Sequence, residues 1–366
     1  MISVLIFGAG SIGNHLAYAC RNKGWEVTVF DVNPQALKRT REEIYPQRYG
    51  KWDSNIRLVQ SKKDCWIEKF DLVIIGTPPD THLAVAMEVL KTSPSRVMLI
   101  EKPLCTPDME KCNELVSLAT QTGTKILVGY NHTLTEHTQK TNLLLEENAI
   151  GKPLYLYAAF REHWEGIFNA HPWLNGPQDS YLGYSSRGGG AGGEHSHALN
   201  IWQYFSHILG MGRITEVSAM LDIVTSDTGE YDRIFQVNVR TEYGLLGHVV
   251  QDVITKPSKK MLMLQGETGF LEWHVNWKND ADALRYGKEN SPITEEIFPK
   301  TRPDDFKWEI DHIGEILDQK IIESPISLER GIETMLVIAA AHLSHRAKKT
   351  IKINYDAGYS CEAFEK

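Results

Sequence analysis

The turn Gly8-Ala9-Gly10-Ser11-Ile12-Gly13 constrains this chain most, because it stands between an apolar run, residues 2–7, and a helical pattern, residues 14–21. Strand, glycine turn and helix in that order form the phosphate end of a dinucleotide-binding βαβ unit. Gly8 permits the tight turn, Gly10 lets a pyrophosphate approach the backbone, and Gly13 lets helix and strand pack closely. The helix start, with Ser11 and Ile12, then presents free amides to the anion. Such a turn is weak evidence alone, so its neighbours decide.

A second apolar run, residues 25–30, ends in Asp31, which follows Gly13 by 18 residues. That is close to the spacing of a carboxylate that grips the adenosine ribose. Asp31 would accept from the ribose hydroxyls and repel a 2′-phosphate, so NAD is expected over NADP. Against this, Lys38, Arg39 and Arg41 follow within one helix, where a long side chain can fold back on a phosphate. Residues 71–76, 96–100 and 125–129 read as further buried parallel strands. The first runs into Thr77-Pro78-Pro79-Asp80-Thr81-His82 and an amphipathic helix over 83–91, the second into Glu101-Lys102-Pro103, the third into Tyr130-Asn131-His132. In a doubly wound sheet the residues just past the C-terminal strand ends line one crevice. Gly8, Asp31, Thr77, Lys102 and Tyr130 are therefore expected along one edge, with Lys102 a proton-handling cation beside a redox cofactor.

At 366 residues the chain exceeds what one core usually supports, so two domains are expected, 1–128 and 129–366. A hydrophobic fraction of 42% and a charged fraction of 23% are ordinary for a globular protein and give no sign of disorder. The net charge of −8 and the lack of a dense basic run argue against a nucleic-acid partner and favour a small or carrier-linked substrate. Cys20, Cys65, Cys105, Cys112 and Cys361 show no CxxC spacing, and an odd total suits free thiols in a reducing compartment. Cys105, although close to Lys102, reads as a buried small hydrophobe. No basic leader precedes residue 2 and no apolar stretch approaches the ~20 residues that span a bilayer, so the expected location is cytoplasmic, with no membrane partner.

After residue 150 the βα alternation stops. Strand-like segments over 154–160, 214–223, 234–241, 245–254 and 260–266 follow with few helices between them, which predicts an α+β domain with a largely antiparallel or mixed sheet. Residues 304–320 and 328–348 carry helical spacing. The densest chemical cluster is Gly188-Gly189-Gly190-Ala191-Gly192-Gly193-Glu194-His195-Ser196-His197, running into a helical pattern over 198–205. The glycines are expected to let the backbone approach a ligand, with Glu194 and two imidazoles in the helix start. An acid in a first turn also serves as a plain cap, and His197 also fits a core. Flexible backbone, carboxylate and imidazole together favour function.

Taken together, GAGSIG, Asp31, TPPDTH, EKP and the later glycine-to-His segment resemble the Gfo/Idh/MocA oxidoreductases, named for glucose-fructose oxidoreductase and inositol dehydrogenase. The resemblance runs from Ile2 to about Ile353, and its most specific pieces are TPPDTH and EKP. It implies an N-terminal Rossmann domain, a C-terminal domain whose open sheet forms a homodimer or homotetramer, and a sugar or cyclitol substrate. It implies cofactor contacts from Gly8, Gly10, Ser11, Ile12, Gly13, Asp31, Thr77, Pro78, His82, Glu101 and Lys102. Lys102 matches the family's catalytic lysine, His197 its proton-exchanging histidine, and Glu194 an acidic position usually held by Asp. The chain departs from the family pattern at Asn200, where Asp is frequent, at Gly192-Gly193, which loosens a normally packed segment, and at Thr133-Leu134, where relatives carry Arg-Phe.

The chemistry implied is reversible oxidation of a secondary alcohol, with His197 as base and Lys102 holding the oxygen. Glu194 would orient the imidazole or bind a hydroxyl. Tyr130, Asn131, His163, Trp164, His171, Trp173 and Arg187 are candidate substrate contacts, with Trp164 and Trp173 fitting a core better. Arg187 fits a carboxylate or phosphate, as in an acidic sugar or a sugar nucleotide. His163, His171, His195 and His197 raise the question of zinc, but no metal is expected, since nothing in the sequence brings them together. Two rival functions stand beside the dehydrogenase. An NAD-dependent glycosidase would release an aglycone without net NADH; a regulator would bind NAD and sugar without turnover.

Overall fold

The computed structural model describes residues 1–366 apart from Ile67, Pro172, Thr228 and Lys366. The chain opens with β1 (Ser3–Phe7), α1 (Ser11–Asn22), β2 (Glu26–Phe30), α2 (Pro34–Arg39), a π-helical turn (Thr40–Ile44), α3 (Tyr45–Tyr49), β3 (Ile56–Val59), α4 (Lys62–Cys65) and β4 (Leu72–Ile75). It continues through α5 (Pro79–Thr92), β5 (Val97–Ile100), α6 (Cys112–Thr122), β6 (Lys125–Val128), α7 (Glu136–Glu146), β7 (Pro153–Arg161), α8 (Glu165–Ala170), α9 (Gly190–Glu194) and α10 (His197–Ile208). Strands β8 (Ile214–Thr225), β9 (Glu230–Thr241), β10 (Leu246–Asp252), β11 (Lys259–Gly266), β12 (Gly269–Lys278), β13 (Ala281–Lys288) and β14 (Thr294–Phe298) precede α11 (Arg302–Leu317), α12 (Leu328–Ala347), β15 (Ile351–Ile353) and β16 (Phe364–Glu365). No helix among the described residues is long and apolar enough to cross a membrane.

Two compact units form, neither contiguous in sequence. The first holds Met1–Leu104, Lys111–Asn131 and Arg302–Leu328; the second holds Cys105–Glu110, His132–Thr301 and Glu329–Lys366.

In the first unit six parallel strands lie in the order β3-β2-β1-β4-β5-β6. Every residue of β4 and β5 is buried, as expected for strands covered on both faces. The order reverses between β1 and β4, which opens a crevice beyond the C-terminal ends of those strands. Residues 302–328 pack in this unit although they lie within the expected second domain. The cause is the apolar stripe Phe306, Ile310, Ile313 and Leu317 of α11, which needs a surface to bury against. The His15 ring of α1 stacks on Phe306 with centroids 4.5 Å apart, and Lys23 donates to Asp311 at 2.8 Å. Gly314 brings the helix close, since a Cβ there would lie 3.4 Å from the Trp25 ring.

In the second unit ten strands run β14-β13-β12-β11-β7-β10-β9-β8-β15-β16. Adjacent pairs are antiparallel except β7 and β10, which are parallel. Buried residues alternate along β9, so one face is covered and the other open. Helix α10 covers part of the inner face, with Trp202 Nε1 donating to the Leu156 carbonyl at 2.9 Å. Helix α12 supplies acceptors to β8 through Ser344 Oγ (3.0 Å to the Ala219 amide) and His345 Nδ1 (3.1 Å to that of Leu221). The fold is thus α/β, a Rossmann-type sheet followed by a large, mostly antiparallel one.

Candidate active site

The glycine turn is built by backbone crowding. Gly8 sits at φ +106°, and a Cβ there would lie 2.6 Å from the Gly76 carbonyl; one on Gly13 would lie 2.1 Å from that of Gly8. A Cβ on Gly10 meets nothing within 4 Å, so the turn is open on the side where a phosphate approaches. Asp31 is held rigidly: Oδ2 accepts from the Ala9 amide and Oδ1 from that of Asn33, both at 2.8 Å. A carboxylate has about four acceptor positions, so two remain for ribose hydroxyls. Thr40 Oγ1 donates to the Ala9 carbonyl at 2.5 Å and Asn14 Nδ2 to that of Gly10 at 2.8 Å. Uncapped by any side chain at its start, α1 keeps its first amides for an anion. These residues fit a dinucleotide.

The later strand ends behave differently. Thr77 Oγ1 accepts from Thr81 at 2.7 Å, and Pro78 is the N-cap of α5. His82, expected at the cofactor, is fully buried, with Nε2 2.7 Å from the Thr77 carbonyl and Nδ1 3.1 Å from that of Pro103. It ties the two loops together and has no surface left for a ligand. Glu101 is buried against Gly129, where a Cβ would lie 3.0 Å from either carboxylate oxygen. Burial pushes its carboxyl up to about 7 against the pull of Lys102. Glu309 of α11 is fully buried, and neither oxygen has a hydrogen-bond partner among the described residues. Burial, then the charges of Glu101 and Asp305, hold its carboxyl well above the usual range. Lys102 is the second residue beyond β5 and is half-buried, while Tyr130 and Asn131 are buried. Cys105 is buried, as are Cys20, Cys65 and Cys112, and no disulfide joins any of the five cysteines.

In the second unit the glycines of 189–192 serve packing, not ligand approach. A Cβ on Gly189 would lie 2.1 Å from the Tyr181 carbonyl, one on Gly190 2.2 Å from Asp232 Oδ1, and one on Gly192 2.8 Å from the Phe235 ring. Asp232 of β9 accepts from the Gly192 amide at 2.6 Å and from Ser185 Oγ at 2.7 Å, and Gln251 Nε2 donates to the Ala191 and Gly192 carbonyls at 2.8 and 3.1 Å. The segment is a buried helix, α9, tighter than its glycine content suggested. Glu194 ends α9 and α10 begins at His197, so Glu194 is not a first-turn cap.

His197 is half-buried and His195 buried. Facing His197 edge-on is His132, with ring centroids 4.6 Å apart and planes at 71°. Burial, then the neighbouring His197, lowers the pKa of His132 well below the usual range and keeps it neutral. Sequence reasoning had His132 only as the end of a strand; its place after Tyr130-Asn131 was the available signal. Asn200 is a core amide, donating to Thr334 at 3.3 Å. Trp164 is buried against Tyr231 and Phe168. His163 accepts from the Glu165 amide at 3.0 Å. His171 Nδ1 lies 2.7 Å from the Ile167 carbonyl, Trp173 packs edge-on against that imidazole, and Arg187 lies over the Tyr184 ring at 5.6 Å. Among the described residues no three His, Cys, Asp or Glu side chains group as a metal site requires.

Comparison with known proteins agrees with this fold. Residues 2–130 match the oxidoreductase family model with NAD-binding Rossmann fold, and residues 138–272 match the GFO/IDH/MocA C-terminal domain. Similar solved structures include an aldose-aldose oxidoreductase from Caulobacter crescentus complexed with glycerol (16% identity, TM-score 0.76, covering 96% of this chain and 99% of that one). Others are an oxidoreductase from Agrobacterium radiobacter with NAD+, L-tartaric acid and magnesium (18%, 0.75, 96% and 98%) and the WlbA dehydrogenase from Bordetella pertussis with NADH and UDP-GlcNAcA (18%, 0.70, 96% and 98%). A release factor glutamine methyltransferase of Streptococcus pneumoniae is 30% identical over 108 residues, 28% of this chain. The match spans only 36% of the length of that curated relative. With both domain models matched in order, the chain belongs to the NAD-binding Gfo/Idh/MocA oxidoreductase family.

Proposed function

We propose that the protein reversibly oxidises a secondary hydroxyl of a sugar, cyclitol or sugar derivative. The observation that carries this reading is the placement of Lys102 at the C-terminal end of β5, in the same parallel sheet as the open glycine turn. Bound NAD supplies the hydride acceptor. The Lys102 ammonium donates to the substrate oxygen and stabilises the negative charge that develops there. His197 accepts the hydroxyl proton. Glu194 orients that imidazole or a second hydroxyl. Tyr130, Asn131, His163 and Arg187 are the proposed substrate contacts. Sugar and polyol ligands in the similar structures, glycerol and UDP-GlcNAcA among them, support the substrate class, and Arg187 suits an acidic or nucleotide-linked sugar.

The open face of the ten-stranded sheet is proposed to join copies of the chain. Met220 and Leu246, on β8 and β10, share that face and are exposed at 76% and 45%, apolar surface that a second copy would cover. Four buried cysteines outside any disulfide suit the reducing cytoplasm. The function is tested by screening sugars, cyclitols and sugar nucleotides for NADH absorbance, with Lys102→Ala as control. A substrate that reduces NAD only with Lys102 present supports the reading; no reduction by any of them overturns it.

A further inference from the structure

We propose that Arg48 is a positioning residue for dinucleotide binding, acting through the Ser11 hydroxyl on the cofactor's pyrophosphate. The glycine motif assigns this contact to backbone amides alone, and nothing in its spacing points to residue 48. The inference rests on the NAD-binding role of the glycine turn.

The segment after β2 carries Arg48 to that turn. Capped by Asn33, which accepts from the Gln35 amide at 2.9 Å, α2 passes through the π-helical turn into α3. The end of α3 is clamped to the outer side of α1. The Tyr49 ring stacks on Tyr18 with centroids 3.7 Å apart and planes at 2°, Tyr45 meets both edge-on, and Tyr49 Oη lies 2.5 Å from His15 Nδ1. So held, the neighbouring Arg48 reaches back to the first residue of α1. Its Nη1 donates to the Ser11 carbonyl at 2.9 Å and its Nη2 to Ser11 Oγ at 2.7 Å.

A guanidinium only donates, so Ser11 Oγ must accept there and its single hydrogen must point elsewhere. Ser11 follows Gly10, the position whose Cβ would meet nothing within 4 Å. The hydroxyl is thereby set as a donor toward that open side, next to the uncapped amides of α1. Arg48 also adds a fixed cation close to where the phosphates lie. His15 supplies no charge in competition, because burial, then Arg48 and Arg302, lower its pKa to about 3.

The test measures dissociation constants of NADH, ADP-ribose and adenosine for the unsubstituted protein, R48M, S11A and the double variant. R48M is expected to weaken NADH and ADP-ribose about tenfold or more, the scale of a charged hydrogen bond, while adenosine stays within about twofold. Because Arg48 acts through Ser11, adding R48M to S11A should cost less than R48M alone. An unchanged ADP-ribose affinity in R48M, an equal loss for adenosine, or losses that multiply in the double variant would each overturn the assignment. Should R48M fail to fold, R48K serves: a severalfold loss for ADP-ribose alone supports the role, and no loss removes it. If the unsubstituted protein binds neither NADH nor ADP-ribose, the NAD reading itself falls, and this inference with it.

Discussion

Two glycine-rich segments stand at helix starts in this chain, and they are glycine-rich for different reasons. At 8–13 the crowding neighbours are carbonyls of the backbone, from Gly8 itself and from Gly76 beyond β4, and the one uncrowded position, Gly10, faces open space. At 189–192 the neighbours include Asp232 and Phe235, side chains of the strand on which α9 packs. The first segment is shaped around a gap and the second around a filled interface. Glycine density alone therefore does not mark a ligand site; what an added Cβ would touch does.

The sharpest way to break this comparison is Gly13→Ala. Its Cβ would fall 2.1 Å from a backbone oxygen that cannot rotate away, so unfolding stability should drop by more than about 4 kcal/mol. A denaturation midpoint close to that of the unsubstituted protein would show that the turn relaxes. Gly10→Ala should do the reverse, leaving thermal stability unchanged while NADH affinity falls by about tenfold or more, the price of one blocked phosphate approach. Calorimetric binding and a melting curve on the same sample separate the two. Gly192→Ala should cost about 1–3 kcal/mol by overpacking against Phe235, with NADH affinity intact. A weakened affinity there would mean that the second segment also meets the cofactor.

The smallest expected effect concerns the carboxyls around EKP. The carboxyls of Glu101 and Glu309 are both raised in the folded chain. The unfolded chain ionises first as pH rises, so the folded state binds more protons. Their contribution is full below the ordinary carboxyl range and is lost as pH climbs, through about 7 for Glu101. Each such group adds a slope of at most about 1.4 kcal/mol per pH unit. Glu309→Gln should flatten this loss, making the variant the more stable protein at pH 8 and nearly equal at pH 4. Equal denaturation midpoints at both pH values would show that Glu309 has a partner or water that relieves it.

Legibility followed the range of the interactions. Strands β1, β2, β4, β5 and β6 could be read because each is an apolar run ending in a recognisable loop. The place of α11 in the first unit could not, because an apolar stripe does not say which surface it will cover; Phe306 on His15 settles that only in three dimensions. Strands β12 to β14 escaped notice because Glu272, Asn276, Arg285 and Glu295 break up their apolar positions, while Trp273, wholly buried, carries the packing. Lys102 stood in a motif. His132 and Arg48 did not, and their relations to His197 and Ser11 depend on rings and helices packed from distant parts of the chain.

The most direct measurement of the central claim is NADH formation by the unsubstituted protein and by Lys102→Ala on a carbohydrate found by the screen, with the dissociation constant of NAD measured for both. The account predicts a fall in kcat of at least about a hundredfold, the scale of a lost oxyanion donor, with NAD affinity within about twofold. Equal losses in turnover and NAD affinity, or turnover that survives without the ammonium, would contradict it.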